Sequence, residues 1–358
     1  MKKRIIGMFL AAAMVISMCA CGGEKQEAEP TETPVGGSSN ETSNANIKED
    51  AYVLRLGVAT GGQHPHNVWM EAFEKELEAA TEGQIDVQLY PAGQLGNLAE
   101  LVQGLRDGTV DSAMVPTTYF GTAYMGATVV DLPYLFEDSE QLYRILTQND
   151  TLYTKGYEEN GFIPVSYLRL FDRQVLSKKK ITSIDDFSSM KLWSLPSAVI
   201  QKEVGELGAT VSNIDMGELA PSLQNGTVDG TLTDISLFLS QSLYTSAPYM
   251  LEGLNDSMIS LYAISPVWWN QIPEDLQGTI KETAQKVAEE VGYPYIDTMK
   301  ETALDVMTEK GLEVVEADAV LEEELKSRLQ SITDWYLESY PEYQPVYDEL
   351  AALIEADK

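Results

Sequence analysis

Cysteine is almost absent from this chain of 358 residues, whose two cysteines, Cys19 and Cys21, both lie near the N-terminus. The rest of the chain therefore has no disulfide bond, zinc–thiolate site or cysteine nucleophile. Histidine is nearly as scarce, with only His64 and His66, and no Gly-x-Ser-x-Gly motif of a serine hydrolase is present. Although acidic side chains are plentiful, these absences argue against a secreted enzyme.

Basic residues are few relative to acidic ones, with 24 Lys and Arg against 56 Asp and Glu and a formal net charge of -32. Nucleic-acid phosphates require a basic surface, so this balance argues against a nucleic-acid-binding protein. A well-solvated exterior is the simpler explanation of the acidic excess. The hydrophobic content of 44% and the length are enough for two ordinary domains with packed cores.

No hydrophobic run is long enough for a transmembrane helix. The uncharged run 5–18 follows a basic start and is typical of a signal-peptide core. Small residues surround Cys21, as in bacterial lipoprotein signals, so we predict a signal peptide over 1–20 and lipidation of Cys21. An ordinary cleaved signal without lipid is the alternative. Residues 21–50 are poor in large apolar side chains, which predicts a disordered tether between the anchor and the folded body.

The body alternates strand and helix patterns. Period-2 or short apolar runs predict strands at 53–58, 85–89 and 110–115, and 3.6-residue spacing predicts helices between them. This order implies a mainly parallel sheet with helices on both faces, whose ligands bind beyond the C-terminal ends of the strands. A second α/β stretch covers about 171–254.

A long helical pattern then runs from Pro273 nearly to Gly311, about 55 Å at about 1.5 Å per residue. Gly292 and Pro294 interrupt it, but the apolar face resumes, so we expect a kink and not an end. A helix of this length could brace two domains.

Four motifs carry a resemblance to a known family, and no internal repeat is evident. In this order and spacing, the chain from about 54 to 312 resembles the substrate-binding proteins of tripartite ATP-independent periplasmic (TRAP) transporters, of the dicarboxylate-binding type. The motifs are Tyr90-Pro-Ala-Gly-Gln-Leu-Gly96, Asp131-Leu-Pro-Tyr-Leu-Phe136, Leu223-Gln-Asn-Gly-Thr-Val-Asp-Gly230, and Trp269 with Pro273-Glu-Asp-Leu-Gln277.

The resemblance implies a two-lobed α/β fold of the periplasmic-binding-protein kind, in which each lobe is a mixed sheet flanked by helices. A hinge and a long bridging helix would join the lobes. We expect lobe I to comprise 51–170 and about 259–298, and lobe II to comprise 171–258 and about 299–358.

The resemblance also implies the function. The protein would capture a small organic acid, such as a sugar acid or aromatic acid, and deliver it to the TRAP membrane subunits, which an ion gradient drives. It would be a monomeric lipoprotein on the outer face of the cytoplasmic membrane, without catalytic activity, cofactor or metal. A binding lipoprotein of an ATP-driven importer or a sensor system is the alternative.

In this family an arginine generally binds the solute carboxylate, because a planar guanidinium donates two parallel hydrogen bonds. Here Trp193 stands at that position, where it would give a flat wall or be plain core. A second family arginine matches Arg173, and Arg169 lies four residues earlier. If one continuous strand carries both, their side chains share a face. We expect Arg173, with Arg169, to bind the anionic end of the solute; an ion pair with a surface acid is the alternative for Arg173.

The remaining expected ligand-binding residues come from matching positions. The loop 61–67 would face the cleft, but His64 and His66 lack an evident third metal ligand. Asp234 would bind a solute hydroxyl or amine, or cap the following helix. The residues predicted from these positions are Gln63, His64, Asn67, Thr117, Thr118, Met216, Thr233 and Asp234.

Overall fold

The computed structural model describes residues 47–358. The predicted signal peptide, the lipidation site Cys21 and nearly all of the predicted tether lie outside the described residues. Within 47–358, no helix has the length and hydrophobicity required to cross a bilayer.

Two β-sheets form the centre of the fold. The first has the strand order β2-β1-β3-β10-β4 and the second has the order β11-β9-β5-β8-β6-β7. The strands are β1 Tyr52–Gly57, β2 Ile85–Tyr90, β3 Ser112–Pro116, β4 Ile163–Arg169, β5 Gln174–Ser177, β6 Lys191–Ser194, β7 Thr210–Ser212, β8 Gly230–Thr233, β9 Tyr249–Glu252, β10 Ile259–Ile264 and β11 Glu313–Glu316.

Helices flank both sheets, and short 3-10 helices follow several strands. The three 3-10 helices that concern the site are Thr117–Thr122, Met125–Asp131 and Met216–Glu218. The α-helices are α1 Pro65–Ala80, α2 Leu98–Asp107, α3 Ser139–Gln148, α4 Leu152–Glu159, α5 Ala198–Glu206, α6 Leu219–Asn225, α7 Ile235–Ser240, α8 Pro266–Trp269, α9 Glu274–Val287, α10 Tyr293–Glu309, α11 Ala319–Ser339 and α12 Gln344–Ala356.

Both sheets are mixed. In the first, β1 pairs in parallel with β2 and β3, whereas β10 runs antiparallel to β3 and β4. In the second, β6 is parallel to β7 and β8, and β5 is antiparallel to β8 and β9. The predicted fold class, with two mixed sheets flanked by helices, is confirmed.

The chain changes sheets between β4 and β5. Arg169 pairs with Ile259 in the first sheet, whereas Gln174 pairs with Thr233 in the second. The condition for Arg169 and Arg173 to share a strand face, one continuous strand, is therefore not met. Local sequence patterns indicate a strand but not its partner, so they could not reveal this change of sheet.

The long helix predicted over 273–311 is present as α9 and α10, joined by a π-helical turn at Ala288–Gly292. In this turn the N–H of Tyr293 donates to the carbonyl of Ala288, five residues earlier. Pro294 has no N–H to donate, and a wide turn just before it lets the helix continue. Helix α9 packs against α1 and against β4 of the first sheet, and α10 packs against α7, which follows β8 of the second sheet. The element thus contacts both halves of the fold, that is, each sheet with its flanking helices.

The predicted lobe boundaries stay a prediction, although β10 belongs to the first sheet and β11 to the second, as those boundaries require. The two C-terminal helices, α11 and α12, pack against different halves of the fold. Helix α11 packs against α5, but α12 packs against α3 and α4, which contact β4 of the first sheet. The assignment of all of 299–358 to lobe II therefore does not describe α12.

Gly230 is a position where the second sheet tolerates no side chain. It lies in β8 between β5 and β6, and a Cβ there would lie 2.4 Å from the carbonyl oxygen of Leu176. We expect Gly230→Ala to lower the free energy of unfolding by about 2 kcal/mol or more, because the neighbouring backbone must move. Urea unfolding of the purified body measures this change.

Gly278→Ala in α9 is the matched control, since a Cβ at Gly278 meets nothing within 4 Å. It should stabilise by about 0.5–1 kcal/mol through helix propensity. Equal urea midpoints for Gly230→Ala and the unmodified protein would contradict the packing described for β8.

Candidate ligand-binding cleft

A cavity of about 590 Å³ lies between the two sheets, large enough for a small-molecule ligand. Its first wall comes from segments that follow strands of the first sheet. Ala59 follows β1, Ala92 follows β2, Asn97 caps α2, and Tyr119 follows β3. These are the C-terminal ends of parallel strands, where α/β sheets generally bind ligands.

The second wall comes from the equivalent ends of the second sheet. Trp193 and Ser194 end β6, and Met216 follows β7. Gln201 extends from α5, and Gln241 follows α7. Of the ligand-binding residues predicted from sequence, Trp193 and Met216 are the two that line this cavity.

Trp193 forms a wall of fixed orientation. Its side chain is buried, and its indole N–H donates to the carbonyl of Ile214 at 2.8 Å. Because this hydrogen bond engages its single polar group, Trp193 presents only apolar atoms where it borders the cavity. Of the two expectations for Trp193, the structure shows the core residue, and the flat wall for a solute stays a prediction.

The charge of the cavity is low and negative. Among the described residues that line it, Asp215 alone carries a formal charge at neutral pH. Its carboxylate also accepts the N–H of Gly217 at 2.9 Å and so caps a short helical turn. Burial, and secondarily the charge of Asp215, raise the pKa of Tyr119, which keeps that phenol neutral.

Arg173 does not reach the cavity; it lies in a buried ion cluster where the chain passes between the sheets. Its Nε donates to Asp256 Oδ2 at 2.6 Å, its Nη2 donates to Asp256 Oδ1, and its Nη1 donates to Asp131 Oδ1 at 3.2 Å. Thr118 and Ser197 donate hydroxyl hydrogen bonds to Asp131 at 2.9 and 3.2 Å. The partners of Arg173 are thus interior acids, and not the surface acid considered from sequence.

Burial and charge shift the pKa values in this cluster. Burial lowers the pKa of Arg173, but the charges of Asp256 and Asp131 outweigh it, so the net shift is upward. Burial raises the pKa of Asp131 to about 6, partly offset by Arg173.

Glu203 lies beside this cluster. Neither of its carboxyl oxygens has a hydrogen-bond partner within the described part of the chain. Burial, reinforced by Asp256, raises the pKa of Glu203 well above its usual range. The buried surroundings therefore favour the neutral, protonated form of Glu203.

Arg169 lies elsewhere. Its guanidinium pairs with Asp297 of α10 and stands 5.1 Å from the ring centre of Tyr293. It lines a second, smaller cavity of about 220 Å³ that also includes Asp172 and Lys300. The two arginines therefore do not converge on one site, contrary to the expectation from strand alternation.

His64, Ser236 and Asp234 form a buried hydrogen-bonded chain between α1 and α7. His64 Nε2 lies 3.2 Å from Ser236 Oγ, and the Ser236 hydroxyl donates to Asp234. Asp234 also accepts the backbone N–H groups of Ser236 and Leu237, at 2.7 and 3.3 Å. Of the two roles considered for Asp234, the structure shows the helix cap.

The predicted loop 61–67 is partly helical, because His64 caps α1 and Pro65 opens it. Asn67 is therefore helical, and its side-chain oxygen accepts the hydroxyl of Thr60 at 2.9 Å. Gln63 is exposed, and its carbonyl accepts the hydroxyl of Tyr295 at 2.6 Å.

The predicted threonines are buried in the protein interior. Thr117 and Thr118 begin the 3-10 helix that follows β3, and Thr117 donates to the carbonyl of Ile259 at 3.2 Å. Thr233 ends β8. None of these three threonines is among the residues that line the larger cavity.

The two histidines point to different partners. His66 Nε2 lies 2.8 Å from Ser260 Oγ, whereas His64 faces Ser236. Burial lowers the pKa of His66 to about 3 and that of His64 well below its usual range, so both are neutral at neutral pH. Over residues 47–358, no group of three metal-ligating side chains is present.

Several residues that line the cavity are not predicted from the sequence, including Tyr119, Gln201, Asn213 and Asp215. A positional signal existed for some of them. Tyr119 directly follows the predicted Thr118, and Asn213 to Asp215 follow a short strand in the second α/β stretch. Gln201 lies within a helix, where nothing in the sequence separates it from a surface residue.

The comparisons with known proteins agree with this geometry. A family model described as "Bacterial extracellular solute-binding protein, family 7" matches residues 57–339. The chain belongs to this family. It is a transport solute-binding protein and not an enzyme. The predicted resemblance to TRAP substrate-binding proteins is confirmed.

Individual relatives are distant but cover most of the chain. The C4-dicarboxylate-binding periplasmic protein DctP of Rhodobacter capsulatus is 25% identical over 308 residues, which is 85% of this chain and 88% of the relative. The sialic acid-binding periplasmic protein SiaP of Vibrio cholerae is 24% identical over 321 residues, covering 85% and 93%. A TRAP solute-binding protein structure from Anaerococcus prevotii aligns with a TM-score of 0.79 at 22% identity, covering 85% and 98%.

Replacing Arg173 tests the buried ion cluster. In Arg173→Met, Asp131 and Asp256 lose their cation inside the protein, so we expect unfolding to become easier by about 3–5 kcal/mol. Arg169→Met is the matched control, because Asp297 is 59% exposed and its ion pair is worth about 1 kcal/mol or less. Urea unfolding distinguishes the two variants, and similar losses for both would contradict the structural role assigned to Arg173.

Proposed function

We propose that this family 7 solute-binding protein captures a small organic acid outside the cytoplasmic membrane and delivers it to a TRAP permease driven by an ion gradient. The observation that carries the proposal is the cavity of about 590 Å³ between the strand ends of two sheets. Both walls come from the C-terminal ends of strands, the usual ligand-binding edge of α/β sheets.

The solved relatives favour a sugar acid as the class of cargo. Similar structures hold galacturonate in a Sulfitobacter protein, glucuronate in a Chromohalobacter salexigens protein and L-gulonate in a Haemophilus influenzae protein. The cavity suits a hydroxylated ring or chain, because Ser194, Gln201 and Asn213 offer neutral hydrogen-bonding groups beside the ring of Trp193. We therefore favour a sugar acid over a short dicarboxylate.

The segments in which the chain crosses between the sheets would act as a hinge, about which the two halves close over the solute. The segments 170–173 and 253–258 connect strands of different sheets, and α9–α10 contacts both halves. A solute that touches both walls stabilises the closed arrangement by its extra contacts there. The permease would then recognise the closed, loaded protein.

A lipid on Cys21 would hold the protein at the outer face of the membrane. The proposal rests on the basic start, the apolar run 5–18 and the small residues around Cys21. The polar segment 21–50 would act as a flexible spacer, so that the folded body can reach the permease.

A thermal-shift assay tests the cargo class. We expect D-glucuronate, D-galacturonate or L-gulonate to raise Tm, because a ligand that binds only the folded protein stabilises it by RT ln(1 + [L]/Kd). Met216→Ala should weaken binding about threefold or more, since Met216 lines the cavity. Gln224→Ala is the control, because Gln224 lies in α6 at a different surface pocket. No shift with any organic acid would refute the proposed cargo.

Cell fractionation tests the anchor. With the full chain expressed in a bacterial host, we expect Cys21→Ser to move the protein from the membrane fraction to the soluble fraction, because a serine cannot receive the lipid. Cys19→Ser is the matched control and should leave the protein in the membrane fraction. If Cys19→Ser releases the protein into the soluble fraction and Cys21→Ser does not, the lipid is on Cys19 and the proposed anchor at Cys21 is contradicted.

A further inference from the structure

The cavity provides no cation for a solute carboxylate. Among the described residues that line it there is neither lysine nor arginine, and its one formal charge is the carboxylate of Asp215. Of the two arginines expected there, Arg173 is paired with Asp256 and Asp131, and Arg169 lies at the second cavity with Asp297.

The lysine next in sequence to the second wall is also paired elsewhere. Lys202 follows Gln201 in α5, but its ammonium bonds Glu206 at 2.6 Å and lies 5.9 Å from the ring centre of Trp335 in α11. It therefore faces the packing surface between α5 and α11. Trp193, at the position where the resemblance predicts an arginine, has its indole N–H committed to Ile214.

Desolvating a carboxylate in such a cavity is unfavourable. A buried ion needs a partner of opposite charge or several strong donors, and a nearby like charge raises the cost further. The groups that the cavity does offer are neutral: the hydroxyl of Ser194, the amides of Gln201 and Asn213, and the phenol of Tyr119. These suit hydroxyl groups, while Trp193 and Met216 suit the apolar face of a sugar ring.

We infer that this cavity recognises the uncharged part of its solute, through apolar contacts and neutral hydrogen bonds, and makes no ion pair with a carboxylate. The acid group of a bound sugar acid then stays at the exposed rim, near solvent. This inference rests on the proposed function, because it concerns the same cavity and class of cargo.

Matched solutes that differ only in charge test the inference. Isothermal titration of the unmodified protein with D-glucuronate and with D-glucuronamide should give Kd values within about threefold of each other. Raising NaCl from about 20 to about 300 mM should not weaken the binding of either solute, because no attractive ion pair is screened. A bidentate guanidinium clamp would instead favour the acid by about tenfold or more.

An introduced arginine provides the complementary measurement. Gln201 is only partly buried and lines the cavity, so Gln201→Arg places a guanidinium at the wall with little disturbance of the core. We expect this variant to prefer glucuronate over glucuronamide by about tenfold, and to lose that preference at high salt. Gln201→Met, of similar length and without charge, should show no such preference.

The outcomes separate the inference from the proposed function. A strong, salt-sensitive preference of the unmodified protein for the acid, not increased by Gln201→Arg, would overturn the inference and leave the proposed function intact. If the same assay, extended to the amide partners of galacturonate and gulonate, shows no binding of any acid or amide, the proposed function fails and the inference falls with it.

Discussion

The ion cluster of Arg173 with Asp256 and Asp131 is the interaction on which the rest of the structure depends. It joins three segments that are distant in sequence: the 3-10 helix that ends at Asp131 and the two connections that pass between the sheets. Charges buried this deeply are tolerated only when paired with good geometry, so these segments have little freedom to rearrange. Because the cluster uses Arg173, it also leaves the adjacent cavity without the cation that the family resemblance led us to expect.

Much of the fold could be predicted from sequence because its signals are local. Apolar periodicity placed the parallel strands around 53–115, and β3 differs from the predicted 110–115 only at its ends. The long helix was also predictable, since the apolar face resumes after Pro294. The replacement of an expected arginine by Trp193 was visible in the sequence, and Trp193 lines the larger cavity.

The candidate site was less predictable, because its polar contacts join residues that are far apart in the chain. Arg173 meets Asp131 across 42 residues and Asp256 across 83. A single sequence contains no signal for such pairs, so Arg173 was assigned to the solute. The same limit explains His64, whose partner Ser236 lies 172 residues away. Burial that depends on tertiary packing decides whether a polar residue serves the ligand or the fold.

The π-helical turn between α9 and α10 has a consequence for the helical phase. Val287 and Ile296, both buried, are nine positions apart, which at about 100° per residue would place them about half a turn apart in a regular helix. The extra residue that a π turn takes up brings them to within about a quarter turn. One flank of a single element can thus be buried along its whole length. A regular helix of the same sequence would have rotated one of its two apolar stripes towards water.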